Sequence, residues 1–241
     1  MCGRRKLEKE YPEKVDWGDM ELDMATGIVN QLPEGIIIQF HNNGEPLLYP
    51  QLSEILASAH NQIRTFDTNG KLLVERAKDI IDNMETLTVS VIPNDPEEKE
   101  QYEIVREFLA IKGDRKPRMI YRLLGDIVDK ERWQQLGLVA TRLLHSPRGS
   151  FKYSKPPTVP EFGICLDLLT HLVIDRYGDV YPCVRFNPNN YDCLGNVKHT
   201  KLIDCWNSDA RKHLIQEHVK GHRSCSQLCE KCEFWGIPTG E

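Results

Sequence analysis

IIIQFHNNGEPLLYP, residues 36–50, passes from an apolar run through a polar turn into a second apolar segment. Three consecutive isoleucines with Gln39 and Phe40 predict a short strand, and Asn42, Asn43, Gly44, Glu45 and Pro46 predict a turn at its C-terminal end. The same alternation continues downstream. Leu52, Ile55, Leu56, Ala59 and Ile63 share one face of a 3.6-residue period, and a second strand is expected over 63–67. Leu73, Ala77, Ile80, Ile81 and Met84 mark the next helix, and 87–92 the third strand. Asp95 and Pro96 supply a cap and a first-turn proline, with Glu97 and Glu98 at the positive end of the helix dipole. Tyr102, Val105, Phe108 and Leu109 form the buried stripe of that helix. Strands at 119–124 and 138–144 flank a short helix around Trp133.

Short apolar strands alternating with amphipathic helices predict an α/β fold, a parallel sheet wound in TIM-like order as an incomplete (β/α)6 partial barrel. Before the first strand, Trp17, Met20, Met24 and Ile28 suggest a helix within 16–31, and no strand precedes it. Polar motifs follow each strand: Asn42 to Pro46 after the first, Thr68, Asn69 and Gly70 after the second, Ser90 late in the third. The C-terminal ends of parallel strands are where such sheets bind ligands. There Glu45 can meet a cationic group, and Thr68 and Asn69 can hydrogen-bond hydroxyl or carboxylate oxygens. Arg122, late in the fourth strand, reads more simply as a structural or surface arginine than as a pocket residue.

The chain has 241 residues, 40% hydrophobic and 28% charged, with formal net charge −5 and mean hydropathy −0.48. Those values belong to a folded globular protein and offer no cationic excess for nucleic acid. No apolar run approaches the roughly 20 residues of a membrane span, and the N-terminus lacks the apolar core of a signal peptide. A cytoplasmic, reducing location is expected. Eight cysteines then need a reason, since disulfides are rare there.

Cys2 stands alone and the other seven fall between Cys165 and Cys232. Cys229 and Cys232 form a CxxC half-site, preceded by Cys225. Cys165 and Cys183 bracket an expected hairpin, 172–174 and 180–181 around a turn at 175–178, so four sulfurs can converge. Tetrahedral sulfur suits zinc and iron-sulfur clusters alike, and spacing does not choose between them. Cys193 and Cys205 read as ordinary thiols. A helix over 204–219 is expected to present Ile203, Trp206, Ala210 and Leu214 on one face. The proline-rich stretch 147–162 reads as a linker, between a domain of residues 1–146 and a small cysteine-rich hairpin-plus-helix domain of 163–241.

The segment 36–50 with its Gly-Glu-Pro, and TNG after the next strand, resemble radical S-adenosylmethionine enzymes. The C-terminal part resembles their SPASM or shorter twitch extension: Cys165, Gly178 with Cys183 five residues on, LGNV, a Trp-containing helix, then CEKCEFW. This resemblance implies that Gly44 and Glu45 contact the amino group of S-adenosylmethionine, and that Thr68, Asn69 and Ser90 help hold its carboxylate and ribose. It implies one auxiliary [4Fe-4S] cluster on Cys165, Cys183, Cys229 and Cys232, with Cys225 as a substitute ligand, a count that suits the name twitch. The family's catalytic [4Fe-4S] cluster sits in a CxxxCxxC loop, where Cys2 takes the third place. Only that ligand is present, so the chain is expected to be a fragment, or to start at an internal Met, and to lack radical activity alone. A flavodoxin or ferredoxin is the implied electron donor. The alternative is a non-catalytic iron-sulfur or zinc-binding α/β module.

Overall fold

The computed structural model describes residues 3–42, 44–93, 95–125, 129–142, 164–184, 187–230 and 232. Cys2, Asn43 and the expected linker 147–162 lie outside them. In chain order come helices α1 (Gly3–Glu10) and α2 (Leu22–Val29), then strand β1 (Ile37–Gln39) and helix α3 (Leu52–Ser58). Next are β2 (Ile63–Thr68), α4 (Ala77–Ile80), β3 (Thr86–Val91), α5 (Glu98–Lys112), β4 (Arg118–Leu124), α6 (Lys130–Gln134) and β5 (Leu138–Arg142). The cysteine-rich part holds α7 (Leu166–Thr170), strands β6 (Val173–Ile174), β7 (Asp179–Tyr181) and β8 (Gly195–Asn196), and helices α8 (Leu202–Trp206), α9 (Asp209–Val219) and α10 (Gln227–Glu230). Among the described residues no helix is long and apolar enough to cross a membrane.

The chain divides into two compact units, one of residues 25–142 and the other of 3–24 with 164–232. In the first, β1 to β5 form one parallel sheet in sequential order, the winding of a barrel wall with no switch point. Alternate residues show its two faces. Phe66, Leu87, Val89, Val91, Tyr121 and Leu123 are buried. Thr65 and Asp67 on β2, Thr86 and Ser90 on β3, and Ile120 and Arg122 on β4 alternate with them and are only half-buried. One face is thus apolar core and the other predominantly polar, which is unusual for parallel strands covered on both sides. The core is completed by Trp133, which stands edge-on to Tyr102 with centroids 5.2 Å apart and lies 5.3 Å from Tyr121. Its ring N–H donates to Glu98 Oε1 at 3.1 Å, so the buried indole leaves no polar atom unmatched. At the N-terminal strand ends, Arg64 Nε and Nη2 grip the Glu85 carboxylate at 3.1 and 2.8 Å.

In the second unit β6, β7 and β8 form an antiparallel sheet. Its first turn follows the expected hairpin: Asp175 Oδ1 accepts from the N–H groups of Tyr177 and Asp179, at 2.9 and 3.0 Å. Gly178 takes φ +91°, and a Cβ there would lie 2.8 Å from Val197 Cγ2. The third strand, at LGNV, had no separate signal because it is two residues long.

Three expectations change. The helix expected within 16–31 covers only Leu22–Val29. Asp16 instead pairs with Arg176 at 2.5 Å and accepts from the Tyr177 hydroxyl, and Gly18 passes against the Arg176 guanidinium, so 3–24 group with the C-terminal unit although the sequence assigned them to the first domain. The helix expected over 204–219 is two helices, broken before Ser208, whose Oγ caps α9 by accepting from Arg211 N at 3.2 Å. The break rotates the apolar face: Leu202 and Cys205 are buried and Ile203 is 59% exposed. Asp95 caps a preceding turn, its Oδ1 accepting from Glu97 N at 2.9 Å, and α5 starts at Glu98, two residues later than the cap signal suggests.

Candidate functional site

Two sites emerge, one in each unit. In the C-terminal unit, Cys165, Cys183, Cys229 and Cys232 line a single cavity, with Leu168, Pro182, Leu214 and Leu228 as its apolar wall and Asp192 and His218 as its other polar residues. Cys165 directly precedes α7, and Cys183 follows β7, so the hairpin supplies two thiols. The other two come from a local turn in which Cys232 N–H donates to Cys229 O at 3.1 Å. Ser226 fixes that turn: its Oγ accepts from the N–H groups of Leu228 and Cys229, at 3.1 and 3.2 Å, and donates to Asp192 at 2.5 Å. Burial, reinforced by Asp192 and by the Cys232 and Cys165 thiols and opposed by Ser226, pushes the Cys229 thiol up to about 12. A metal centre must therefore displace its proton. Burial likewise lowers the His218 imidazole, against the pull of Asp192.

The donor set fits a sulfur-ligated centre in an apolar shell. One zinc with bonds of about 2.3 Å would draw four sulfurs to about 3.8 Å from one another; a [4Fe-4S] cube spreads its ligands over four irons. Among the described residues no three of His, Cys, Asp and Glu stand close enough to hold one metal ion. Cys225 is exposed and lies outside the cavity lining. Cys193 is exposed and Cys205 is buried under Gly195, as ordinary thiols would be.

Arg211 was not foreseen. Buried between helices, it donates from Nη2 to the carbonyls of Leu168 and Leu169 at 2.8 and 3.3 Å, and its guanidinium stacks 3.5 Å from the Trp206 ring centroid. It fixes the C-terminal end of the helix that begins beside Cys165. An arginine three residues past the Ser208 cap gave no sequence signal for this.

In the first unit, the expected polar residues meet at the C-terminal ends of the strands. Glu45 caps the short 3-10 turn Pro46–Leu48. Its Oε1 accepts from the Thr68 hydroxyl at 2.7 Å and Leu47 N at 3.2 Å, and Oε2 accepts from Asn69 N at 2.9 Å. A carboxylate has about four acceptor sites, so one on Oε2 is left for a ligand cation. Thr68 Oγ1 and Asn69 N–H are thus both committed to the Glu45 carboxylate. Thr68 Oγ1 also accepts from Gly70 N, and Asn69 Oδ1 from Lys71 N, so the turn after β2 is closed by its own side chains. Gly70 takes φ +79°, with Val89 Cγ1 only 3.1 Å from where a Cβ would stand. Gly44 lies in the loop just before Glu45, and Ser90 sits on the half-buried polar face of β3.

Four further residues join this site. Buried Gln101 of α5 donates to Asn69 O at 2.6 Å and Ser90 O at 2.9 Å, tying together the ends of β2 and β3. A polar residue at the head of the stripe 101, 105, 108 and 112 was its available signal. Asp67, Arg122 and His41 form the other group. Arg122 Nη1 is ion-paired with Asp67 Oδ2, and His41 Nε2 lies 3.7 Å from that oxygen. Asp67 N–H donates to His41 Nδ1 at 3.0 Å. Burial, the main cause, lowers the His41 imidazole's affinity for a proton; Arg122 adds to this and Asp67 opposes it.

Comparison with known proteins agrees with this architecture. Residues 165–233 match the SPASM family, described as an iron-sulfur cluster-binding domain. The S-adenosyl-L-methionine-dependent 2-deoxy-scyllo-inosamine dehydrogenase of Niallia circulans is 27% identical over 208 residues, 85% of this chain and 75% of that protein. The fold is similar to that of BtrN in complex with AdoMet and 2-DOIA, with TM-score 0.59 and 19% identity over 90% of this chain and 81% of that one. It is also similar to anSMEcpe with bound AdoMet, with TM-score 0.59 and 13% identity over 91% and 79%. Residues 165–233 thus carry a SPASM iron-sulfur cluster-binding domain, and the fold of the chain is similar to the folds of BtrN and anSMEcpe. The matched domain is described by an iron-sulfur cluster, and the similar dehydrogenase by its dependence on S-adenosylmethionine.

Proposed function

We propose that the protein is an oxidoreductase that cleaves S-adenosylmethionine reductively and abstracts a hydrogen atom from its substrate. Bound together, the catalytic cluster and S-adenosylmethionine supply one-electron cleavage to a 5′-deoxyadenosyl radical. The observation that carries the reading is the cavity shared by Cys165, Cys183, Cys229 and Cys232 in a unit of SPASM sequence.

The chain's own residues divide the remaining work. Glu45, held by Thr68, Asn69 and Leu47, accepts from the amino group of S-adenosylmethionine beside Gly44. Ser90 on β3 offers its hydroxyl to the ribose, while Gln101 holds the two strand ends at fixed separation. Cys165, Cys183, Cys229 and Cys232 hold the auxiliary [4Fe-4S] cluster, and the leucines around them keep water from it. Cys2 takes the third ligand place of the catalytic loop. A low-potential flavodoxin or ferredoxin supplies electrons in a reducing cytoplasm, where the cysteines stay thiols; neither nucleic acid nor a membrane is a partner. The linker 147–162 separates the catalytic and cluster-binding domains.

Anaerobic reconstitution tests this. The C-terminal thiols should bind about four irons and four sulfides per chain, reduced by Cys165→Ala or Cys229→Ala, and protein carrying all three thiols of the catalytic loop should form 5′-deoxyadenosine with S-adenosylmethionine and a reductant. One zinc per chain in place of iron, or no nucleoside from fully loaded protein, refutes it.

A further inference from the structure

Helix α9 buries Arg211, Leu214 and His218. Spacings of three and four residues place them on one face of the helix. Arg211 is engaged by the carbonyls of Leu168 and Leu169 and by the Trp206 ring, and Leu214 belongs to the apolar wall of the four-cysteine cavity. His218 lines the same cavity one turn further on and is 1% exposed. A leucine there would fill the space without the cost of taking an imidazole out of water, so packing alone does not account for a histidine.

The chemistry of the lining restricts what the ring does. Among the described residues that line the cavity, the polar side chains are the four cysteines, Asp192 and His218. A metal centre takes the place of the thiol protons, which leaves Cys165, Cys183, Cys229 and Cys232 as acceptors. Ionised Asp192 only accepts, and its Oδ2 already takes the Ser226 hydroxyl at 2.5 Å. Burial lowers the proton affinity of His218 against the pull of Asp192, so the ring is neutral, with one N–H and one bare nitrogen. His218 is therefore the side-chain donor that this lining retains once the cysteines are thiolates. A [4Fe-4S] cube held by four thiolates is an anion, and in this cavity its neighbours are the Asp192 carboxylate and a leucine wall. Both oppose the arrival of a further electron, and a hydrogen bond to a cluster sulfur offsets them.

We propose that His218 donates its ring N–H to a sulfur of the auxiliary cluster and so raises the cluster's reduction potential. Four thiolates fill the four iron positions, so the imidazole acts on sulfur and not as an iron ligand. This deepens the proposed function by assigning the residue that tunes its auxiliary centre, and rests on that reading.

The test uses the full chain reconstituted anaerobically with iron and sulfide, as the wild type and with His218→Leu, His218→Phe and His218→Gln. In a reductive titration followed by electron paramagnetic resonance, His218→Leu should lower the ratio of reduced to oxidised cluster at a fixed potential by about tenfold, the gain of one charge-assisted hydrogen bond on reduction. For a one-electron couple that is a shift of about 59 mV to lower potential. His218→Phe, a ring without a donor, should shift it in the same direction and gives a second reading should the leucine variant load poorly. His218→Gln returns an amide N–H and should recover part of the shift. Proton double resonance of the reduced cluster in deuterium oxide should show an exchangeable proton in the wild type that the Leu and Phe variants lack, a signal that a merely structural histidine does not give. A Leu or Phe variant with a full complement of iron that keeps both the wild-type potential and that proton overturns the role, and so does a nitrogen coupling that marks the imidazole as an iron ligand. Zinc in place of iron in the wild type strikes the proposed function itself, and this role with it.

Discussion

Replacing Glu45 by Gln changes one atom and separates two consequences. The carboxylate accepts from Thr68 Oγ1, Leu47 N and Asn69 N at 2.7, 3.2 and 2.9 Å. A Gln carbonyl can retain the two bonds on Oε1, but its amide NH₂ then faces Asn69 N–H, donor against donor. One charge-assisted bond is lost, worth about 1.5–3 kcal/mol. At about 2–4 °C per kcal/mol the melting temperature of the sheet unit should fall by about 3–12 °C. Independently, the open acceptor site on Oε2 disappears. S-adenosylmethionine should then bind about 10- to 150-fold more weakly, the same range expressed as affinity. Calorimetric titration of reconstituted protein gives the affinity, and a thermal melt of the unliganded protein gives the stability. An affinity within twofold of wild type would show that Glu45 is only a structural cap; an unchanged melting temperature would show that its three bonds do not hold the loop.

Glu85 titrates at about 2 against an ordinary 4.5, chiefly because of the Arg64 hydrogen bonds. Its folded-state value is depressed, so its contribution is complete above pH 4.5 and disappears as pH falls toward 2. Glu85→Gln should cost about 1–2 kcal/mol at neutral pH, allowing for solvent screening, and flatten that part of the denaturation profile; an unchanged acid limb contradicts the pairing. Gly178→Ala should cost about 1–3 kcal/mol, from its positive φ and the 2.8 Å approach to Val197, and should reduce iron loading, as measured by iron per chain. His41 should show an Nε2-protonated neutral ring in nitrogen-15 spectra at pH 7; an Nδ1–H signal contradicts the bond from Asp67 N. Trp133→Phe leaves Glu98 without the indole donor and should cost about 1–3 kcal/mol by chemical denaturation; a neutral effect contradicts that bond.

The sheet was legible because its period is strong: the strand starts at Ile63 and Leu138 fall where the sequence places them. Glu45, Thr68 and Asn69 were legible as a group because their motifs follow successive strands, although their bonding to one another was not. Ion pairing that spans the sheet, as in Asp67 with Arg122, leaves no local pattern, since the partners are 55 positions apart in the chain. The segment 3–24 was misassigned for the same reason. Its attachment depends on Asp16 meeting Arg176, and the periodicity of Trp17, Met20 and Met24 describes a helix that Leu22–Val29 only partly forms.

Alternation within the strands contained information that a count of apolar runs passes over. Strict alternation of polar and apolar residues is what β3 shows over Thr86–Val91, TLTVSV, and at the end of β2 Phe66 stands between Thr65 and Asp67. A parallel strand covered on both faces should be apolar throughout, so Thr65, Asp67, Thr86 and Ser90 mark a face that is not apolar core. Burial follows the division at most positions: Phe66, Leu87, Val89 and Val91 are buried and Thr65, Asp67, Thr86 and Ser90 are half-buried, while Thr88 on the polar side is buried too. The polar side of a period-two pattern in a sequential parallel sheet is therefore where a ligand should be sought, ahead of the turn motifs beyond the strand ends. In this chain that side presents an acceptor and a donor, Asp67 and Arg122, held in one ion pair.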